Sequence, residues 1–411
     1  MNRPEILSPA GDLEKLKYAV KYGADAVYLA GRQFGMRAAA GNFSLEELEE
    51  GVAFAHENGV KVYVTVNVMP RNPELYTLPE YLLALERIGV DALIVADVGV
   101  VRIAKRTVPN LPIHISTQTS IVNYEAANFW AELGAERVVL ARELSLEEIK
   151  TIRENTPPEL ELECFVHGAM CISYSGRCLI SNYLTGRDAN HGACAQPCRW
   201  KYSLMEEKRP GEYFPVVEDD KGTYLYNSKD MCMIEHIPEL IRAGITSFKI
   251  EGRAKTAFYT AIITGAYRRG VDAYYEQGEP DSFTLPQEIL DESNKVSHRN
   301  YYTGFYFGRD PEGQYYEDSQ YIREWELTGF VAECDEEGNA AFLIRNRFYK
   351  GDVLELVQPR KPIYRFTVEQ MLDDEGNELD VARHAMMRVH MKFPFAVDPY
   401  AILRRETAQD G

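Results

Sequence analysis

The sequence predicts an α/β chain: a (β/α)8 TIM-like barrel with a cysteine-rich insertion after its seventh strand, followed by a small C-terminal antiparallel β domain. Three observations predict it. One phrase, a helix end followed by glycine and a short β-branched run, recurs from Gly23 to Gly244. Five cysteines crowd between Cys164 and Cys198, and beyond Asp318 the pattern changes to short alternating runs between turn residues.

The recurring phrase begins at Tyr22-Gly23, before Ala24 to Leu29. It returns at Asn58-Gly59 before Val60 to Val66, at Ile88-Gly89 before Ala92 to Val95, at Leu133-Gly134 before Val138 to Leu140, and at Ala243-Gly244 before Phe248 to Ile250. Glycine suits the left-handed residue that ends a helix, and a continuous apolar run suits a strand buried on both faces. Adding Glu5 to Leu7, Ile113 to Ile115 and Leu162 to Val166 gives eight strands. Helical segments fall between them at Leu13 to Tyr22, Ser44 to Asn58, Leu78 to Ile88, Asn123 to Leu133 and Ser145 to Asn155. Ser44 and Ser145 each stand three residues before a glutamate, the capping-box spacing. Eight alternating units favour a closed barrel over an open doubly wound sheet. No Gly-x-Gly-x-x-Gly follows the first strand, so dinucleotide binding lacks its main support.

A chain of 411 residues exceeds one ordinary core, which stops growing near ~250–300 residues. The expected division is 1–318 for the barrel, including a cysteine-rich loop over about 164–232, and 319–411 for the β domain. In the latter, runs at Glu326 to Cys334, Ala340 to Arg347, Asp352 to Gln358, Tyr364 to Val368 and Ala385 to Met391 are separated by turns such as Asp335 to Gly338 and Asp373 to Gly376. Met1-Asn2-Arg3-Pro4 leads straight into a strand-like run without a charged and apolar leader, and no apolar run approaches the roughly 18–20 residues that span a bilayer. The expectation is a cytoplasmic protein with no membrane partner. A formal charge of −18 disfavours indiscriminate nucleic-acid binding. A nucleic-acid substrate would then need a local basic surface, for which Arg199 and Lys201 and the C-terminal Arg345, Arg347, Lys350, Arg360, Lys361 and Arg365 are candidates.

In barrels of this type the reacting groups stand at the C-terminal ends of the strands. Strand seven runs from Glu163 through His167 and Gly168 to Cys171, and Cys178, Cys194 and Cys198 follow. Four thiolates in glycine-containing loops can surround one metal centre. Zinc ribbons usually space paired cysteines by two to four residues, whereas Cys171 and Cys178 enclose six, which favours an iron–sulfur cluster. Cys232 precedes strand eight, so spacing alone leaves the fourth ligand open between Cys198 and Cys232. Asn67 follows strand three, His114 and Gln118 lie around strand five, and strand eight ends Lys249-Ile250-Glu251-Gly252-Arg253. Strand alternation turns Lys249 and Glu251 to one side, where they would converge on one ligand, and Arg253 could grip a carboxylate or phosphate. The expected catalytic residues are therefore Glu251, Lys249 and His167, with substrate contacts from Arg253, Asn67, His114, Gln118 and Glu163.

The runs His167 to Cys171, Ser175 to Ser181, Lys249 to Arg253 and Ser297 to Phe305 resemble the signatures of the collagenase-like peptidase family, number thirty-two among the unassigned peptidases, over essentially the whole chain. No His-Glu-x-x-His or Gly-x-Ser-x-Gly motif accompanies them, so proteolysis is the alternative reading. In length and cysteine pattern the chain is most similar to the bacterial members that hydroxylate tRNA. That resemblance implies formation of 5-hydroxyuridine at the wobble position of the tRNA anticodon region, with prephenate as co-substrate and a 4Fe–4S cluster. It also implies Cys171, Cys178, Cys194 and Cys232 as the ligands, with Cys198 spare, and a paralogous family member as heteromeric partner. An iron–sulfur accessory protein for another hydroxylation is a further, non-enzymatic alternative.

Overall fold

A computed structural model describes residues 3–36, 41–170, 180–187, 193–197, 217–219, 222–224, 229–280, 282–308 and 321–407. The chain opens with β1 (Glu5–Pro9), α1 (Leu13–Lys21), β2 (Ala26–Leu29), α2 (Leu45–Glu57), β3 (Lys61–Val66), α3 (Leu78–Ile88), β4 (Ala92–Val95) and α4 (Val98–Thr107). It continues with β5 (Ile113–Ile115), α5 (Tyr124–Glu132), β6 (Arg137–Val139), α6 (Leu146–Glu154) and β7 (Glu161–Ala169). Next come α7 (Ile180–Thr185), a hairpin of β8 (Val217–Asp219) and β9 (Gly222–Tyr224), β10 (Asp230–Cys232), α8 (Ile237–Arg242) and β11 (Ser247–Ile250). The helices α9 (Ala257–Glu276) and α10 (Gln287–Asn294) and the short β12 (Tyr301–Tyr302) complete this part.

Strands β1 to β7 pair in parallel in chain order, and β11 pairs in parallel with both β7 and β1. The sheet is thus a closed eight-stranded barrel. All five repeat glycines have positive φ, from 72° at Gly59 to 107° at Gly23, as the helix-end reading requires. Both predicted capping boxes form: Ser44 with Glu47 opens α2, and Ser145 with Glu148 opens α6. The outer layer was read less fully, since α4, α8, α9 and α10 lay in stretches where the sequence pattern was weak.

At its upper end β7 also takes β10 as an antiparallel neighbour, with Asp230 opposite Ala169 and Cys232 opposite His167, and β12 runs parallel to β10. This three-strand extension frames the two ends of the cysteine-rich segment. Gly168 (φ 106°) belongs to the same construction: a Cβ there would lie 2.5 Å from the Glu251 carbonyl oxygen, so only glycine allows β7 and the end of β11 to approach so closely.

The second part is a half-barrel of antiparallel strands β13 (Trp325–Cys334), β14 (Asn339–Ile344), β16 (Val353–Val357), β17 (Tyr364–Thr367), β19 (Arg388–Lys392) and β20 (Ile402–Glu406), in the order 17-16-20-13-14-19. A ribbon of β15 (Phe348–Tyr349) and β18 (Val381–Ala382) flanks it. Its core gathers Phe342, Phe348, Leu354, Leu356, Met371 and Leu403. The two parts meet through Tyr22, whose hydroxyl donates to the carbonyls of Val357 and Tyr400, and Tyr18, packed on Phe330 and Tyr400.

Candidate active site at the barrel mouth

The interior of the barrel is polar along one side. Arg137, on β6, reaches Glu5 at 2.6 Å and Glu163 at 3.1 Å, and also pairs with Glu161 at 2.5 Å. Lys249 reaches the other oxygen of Glu163 at 2.5 Å. Glu163 and Lys249 are buried at 0% and 4% exposure, so this chain of charges lies below the mouth. Leu7, Ala26, Tyr28, Tyr63, Ala92 and Ile94 fill the remaining interior. Arg137 holds the Glu5 carboxyl below its ordinary range despite the opposing effect of burial. Burial is the main cause depressing Lys249, and it outweighs the neighbouring Glu163.

Lys249 and Glu251 lie within electrostatic range of each other, as strand alternation predicts, but they hold different partners. Lys249 is engaged by Glu163 one layer down, while Glu251 stands above with Arg142 at 3.9 Å. Arg142 lies over the Phe165 ring at 3.9 Å and donates to the Ala169 carbonyl at 3.1 Å. Glu163 and His114 likewise sit inside the barrel and not at its rim. His114 packs edge-on to Tyr63 at 4.7 Å, its Nδ1 has no hydrogen-bond partner, and burial first, then Arg137 and Lys249, hold it neutral.

At the rim the structure brings Asn67, Gln118 and Arg253 together under the loop that follows β2. Asn67 Nδ2 donates to Gln118 Oε1 at 2.6 Å, and Gln118 Nε2 returns a bond to the Asn67 carbonyl at 3.0 Å. Met36 closes over both: its N–H donates to Asn67 Oδ1 at 3.1 Å, and its carbonyl accepts from Arg253 Nη2 at 2.6 Å. All three side chains are buried. A cationic fork and two amides are thus packed together beneath Met36 at the strand ends, and the guanidinium is the group among them suited to an anionic ligand.

His167 is placed elsewhere. A bulge opposite Lys249 and Ile250 slips the alternation of β7, so the ring leaves the barrel interior and packs outward on α9 and β12. Tyr259, Tyr267 and Tyr301 surround it at ring separations of 6.0, 5.6 and 5.3 Å, with tyrosine hydroxyls 3.5 and 3.4 Å from its two nitrogens. Burial lowers its pKa to about 3. It is a neutral core imidazole, away from the mouth residues. Those tyrosines were not anticipated, and the Ser297 to Phe305 signature that supplies Tyr301 was the one available signal.

Of the expected metal ligands, Cys171 and Cys178 lie outside the described residues, as does Cys198. Cys194 is exposed, and its sulfur accepts the Gln196 N–H at 3.3 Å. It is tied to α7, which begins two residues after Cys178: Ser181 Oγ accepts the Ala195 N–H at 2.9 Å, and Arg187 Nε donates to the Ala193 carbonyl at 2.9 Å. Helix α7 and the stretch carrying Cys194 are therefore fastened together, and an exposed sulfur with a backbone donor fits a cluster ligand. Cys232 is partly buried in the ladder beside His167, and its thiol is pushed up to about 11, burial being the main cause. In this position Cys232 fits a ligand less well than Cys194. The residues thus fit a thiolate-held group in part.

Three of the six C-terminal cations are held by carboxylates, while Arg347, Arg360 and Arg365 are exposed. Lys361 pairs with Asp398 at 2.7 Å, Lys350 with Glu378 at 3.8 Å, and Arg345 with Glu14 at 3.6 Å. Arg199 and Lys201 lie outside the described residues. No described helix is long and apolar enough to cross a membrane.

A closed (β/α)8 barrel with polar strand ends and a cysteine-rich segment hung from β7, joined to a β half-barrel, defines the class. Residues 11–315 match the family described as Peptidase family U32, and residues 323–404 match its C-terminal domain. The chain belongs to peptidase family U32. It is 41% identical over 405 residues to tRNA hydroxylation protein P1 of Bacillus subtilis, covering 98% of this chain and 95% of that one. It is 37% identical to tRNA hydroxylation protein P of Escherichia coli, over 98% of this chain and 97% of the relative. A 23S rRNA 5-hydroxycytidine synthase of Escherichia coli is 41% identical over 67% of this chain and 40% of its own length.

Proposed function

We propose that this chain is an RNA hydroxylase that converts the wobble uridine of tRNA to 5-hydroxyuridine, with prephenate as co-substrate and an iron–sulfur cluster as cofactor. The observation that carries the reading is the 41% identity to a protein named for tRNA hydroxylation, over nearly the full length of both chains. The rRNA relative shares the reaction type on another RNA, which supports hydroxylation of a pyrimidine ring more firmly than the choice of base.

The chemistry fits the site. Placing oxygen on a pyrimidine ring is a redox reaction beyond unaided side chains, so a cofactor must supply it. Cys171, Cys178 and Cys194 would hold the cluster, with Cys232 or Cys198 as the fourth ligand; when bound, it would supply electron transfer. Arg253, Asn67 and Gln118 would orient the anionic co-substrate at the mouth, where their own packing has fixed their positions. Glu251, beside Arg142, would accept or return a proton at the reacting base. An unpaired anticodon base can be turned out toward this mouth, whereas a paired one cannot. Peptide hydrolysis has no comparable support, because no nucleophile with a matched base stands among these mouth residues. Mass spectrometry of nucleosides from tRNA of a deletion strain tests the proposal, with loss of 5-hydroxyuridine and its derivatives as the expected result.

A further inference from the structure

We propose that Lys249 is an imine-forming lysine, whose Nζ condenses with the carbonyl of a small oxo acid admitted through the barrel mouth, with Glu163 as its proton acceptor. The proposal rests on the function above only in taking the barrel mouth as the reacting centre.

The starting point is that a lysine is an odd choice for this interior layer. Its register partner on β1 is Leu7 and its ring neighbour on β2 is Tyr28, and buried ion pairs are often replaced by apolar residues with no loss of stability. Lys249 is hydrogen-bonded to Glu163 at 2.5 Å and feels the Glu251 carboxylate more weakly, and Nζ lies 4.5 Å from the Tyr28 ring centroid and 5.4 Å from that of Phe165. Glu163 does not depend on this lysine for its counter-charge, because Arg137 binds its other oxygen at 3.1 Å. Lys249 can therefore give up its proton and leave Glu163 still paired. A desolvated amine near another cation, here Arg137, is the environment that makes lysine nucleophilic at neutral pH, while Glu163 opposes that effect and serves as the proton acceptor. The lowered pKa of Lys249 agrees with that geometry.

The ligand class follows from what stands above. Arg253 Cζ lies 6.0 Å from the centroid of the same Tyr28 ring, so the amine of Lys249 and a guanidinium at the rim share one aromatic neighbour. A short molecule carrying a carbonyl at one end and a carboxylate at the other would span them. In the step, the ammonium passes a proton to Glu163, and the free amine attacks the carbonyl carbon to form a C–N bond. The carbinolamine hydroxyl takes that proton back and leaves as water. The product is a protonated imine, with Glu163 again ionised and nothing oxidised or reduced.

Full-length protein is incubated with pyruvate and sodium cyanoborohydride, then read by intact mass and peptide mapping. The expected result is one reduced pyruvate adduct on Lys249, absent from Lys249→Arg and formed at least tenfold more slowly in Glu163→Gln. A merely structural lysine would give no adduct at this position. Should Lys249→Arg fail to fold, the peptide map of the wild-type adduct still decides. No adduct, or labelling spread over surface lysines at similar rates, overturns the proposal. No RNA enters the experiment, so an adduct on Lys249 together with unchanged tRNA in a deletion strain would sink the hydroxylase reading and leave the imine standing.

Discussion

Arg404 and Glu292 are joined by two hydrogen bonds of 2.6 and 2.8 Å across the boundary between the barrel and the half-barrel, and Arg404 has no exposed surface. Arg404 also binds Glu355 at 2.7 Å, Lys295 meets Glu355 at 3.1 Å, and the Trp325 ring lies within 5.3 Å of both cations. Helix α10 of the barrel is thus fastened to β16 and β20. Removing the guanidinium leaves Lys295 as the remaining cation for two buried carboxylates, Glu292 at 3.2 Å and Glu355 at 3.1 Å, so the cost should lie at or below the ~3–5 kcal/mol of a fully broken buried pair. Arg404→Ala should lower the urea midpoint accordingly, and a chain cut near Asp318 should be destabilised further. Equal midpoints for wild type and Arg404→Ala would show the cluster to be dispensable.

Acid sensitivity should come partly from buried histidines. His114, His167 and His298 are all held neutral below their ordinary range, mainly by burial. Between the unfolded value near 6.5 and the folded value near 3 for His167, the unfolded chain binds a proton that the folded chain refuses. Stability therefore rises with pH across this window and is level above it, by up to about 1.4 kcal/mol per pH unit for each such histidine. His167→Phe should reduce the slope between pH 4.5 and 6 by about one proton, measured by urea unfolding of metal-free protein. An unchanged slope would mean that His167 titrates normally.

Much of this fold was legible, and the places where it was not have physical causes. The five helix-end glycines marked five of the eight barrel strands because a left-handed residue is a local requirement. Strand β20 is absent from the predicted runs: Arg404 and Arg405 interrupt its apolar pattern, and only a distant partner such as Glu292 makes Arg404 a core residue. The strand ends single out Asn67, Gln118 and Arg253 as candidates, whereas their mutual bonds and the cover by Met36 depend on loop geometry. His167 was misplaced because a single bulge reverses the side of every residue beyond it.

Anaerobically purified protein should be brown and contain iron and sulfide. Cys194→Ser should abolish the colour, and so should Cys171→Ser, while Cys334→Ser, in the half-barrel, should leave it unchanged. Cys232→Ser and Cys198→Ser compared side by side identify the fourth ligand. Zinc without sulfide in anaerobic preparations would contradict the cluster.

Arg253 should matter for a small anion more than for the fold. Arg253→Lys keeps the charge but loses the planar fork that holds the Met36 carbonyl, and it should reduce hydroxylation at least tenfold while the cluster spectrum is retained. Normal activity in that variant would make the arginine structural.

Cations already held by carboxylates contribute little to phosphate contacts. Lys361→Ala and Lys350→Ala should change tRNA affinity by less than about twofold and leave its salt slope unaltered, as filter binding across a salt series would reveal. A slope reduced by about one per substitution would restore the half-barrel as an RNA-holding surface.

The most direct test of the account is nucleoside mass spectrometry of tRNA from a deletion strain complemented with wild type or with Cys194→Ser. The account predicts that 5-hydroxyuridine and its derivatives disappear on deletion, return with wild type and stay absent with Cys194→Ser. Unchanged modified uridine in the deletion strain, with no paralogue present to supply it, would contradict the assignment.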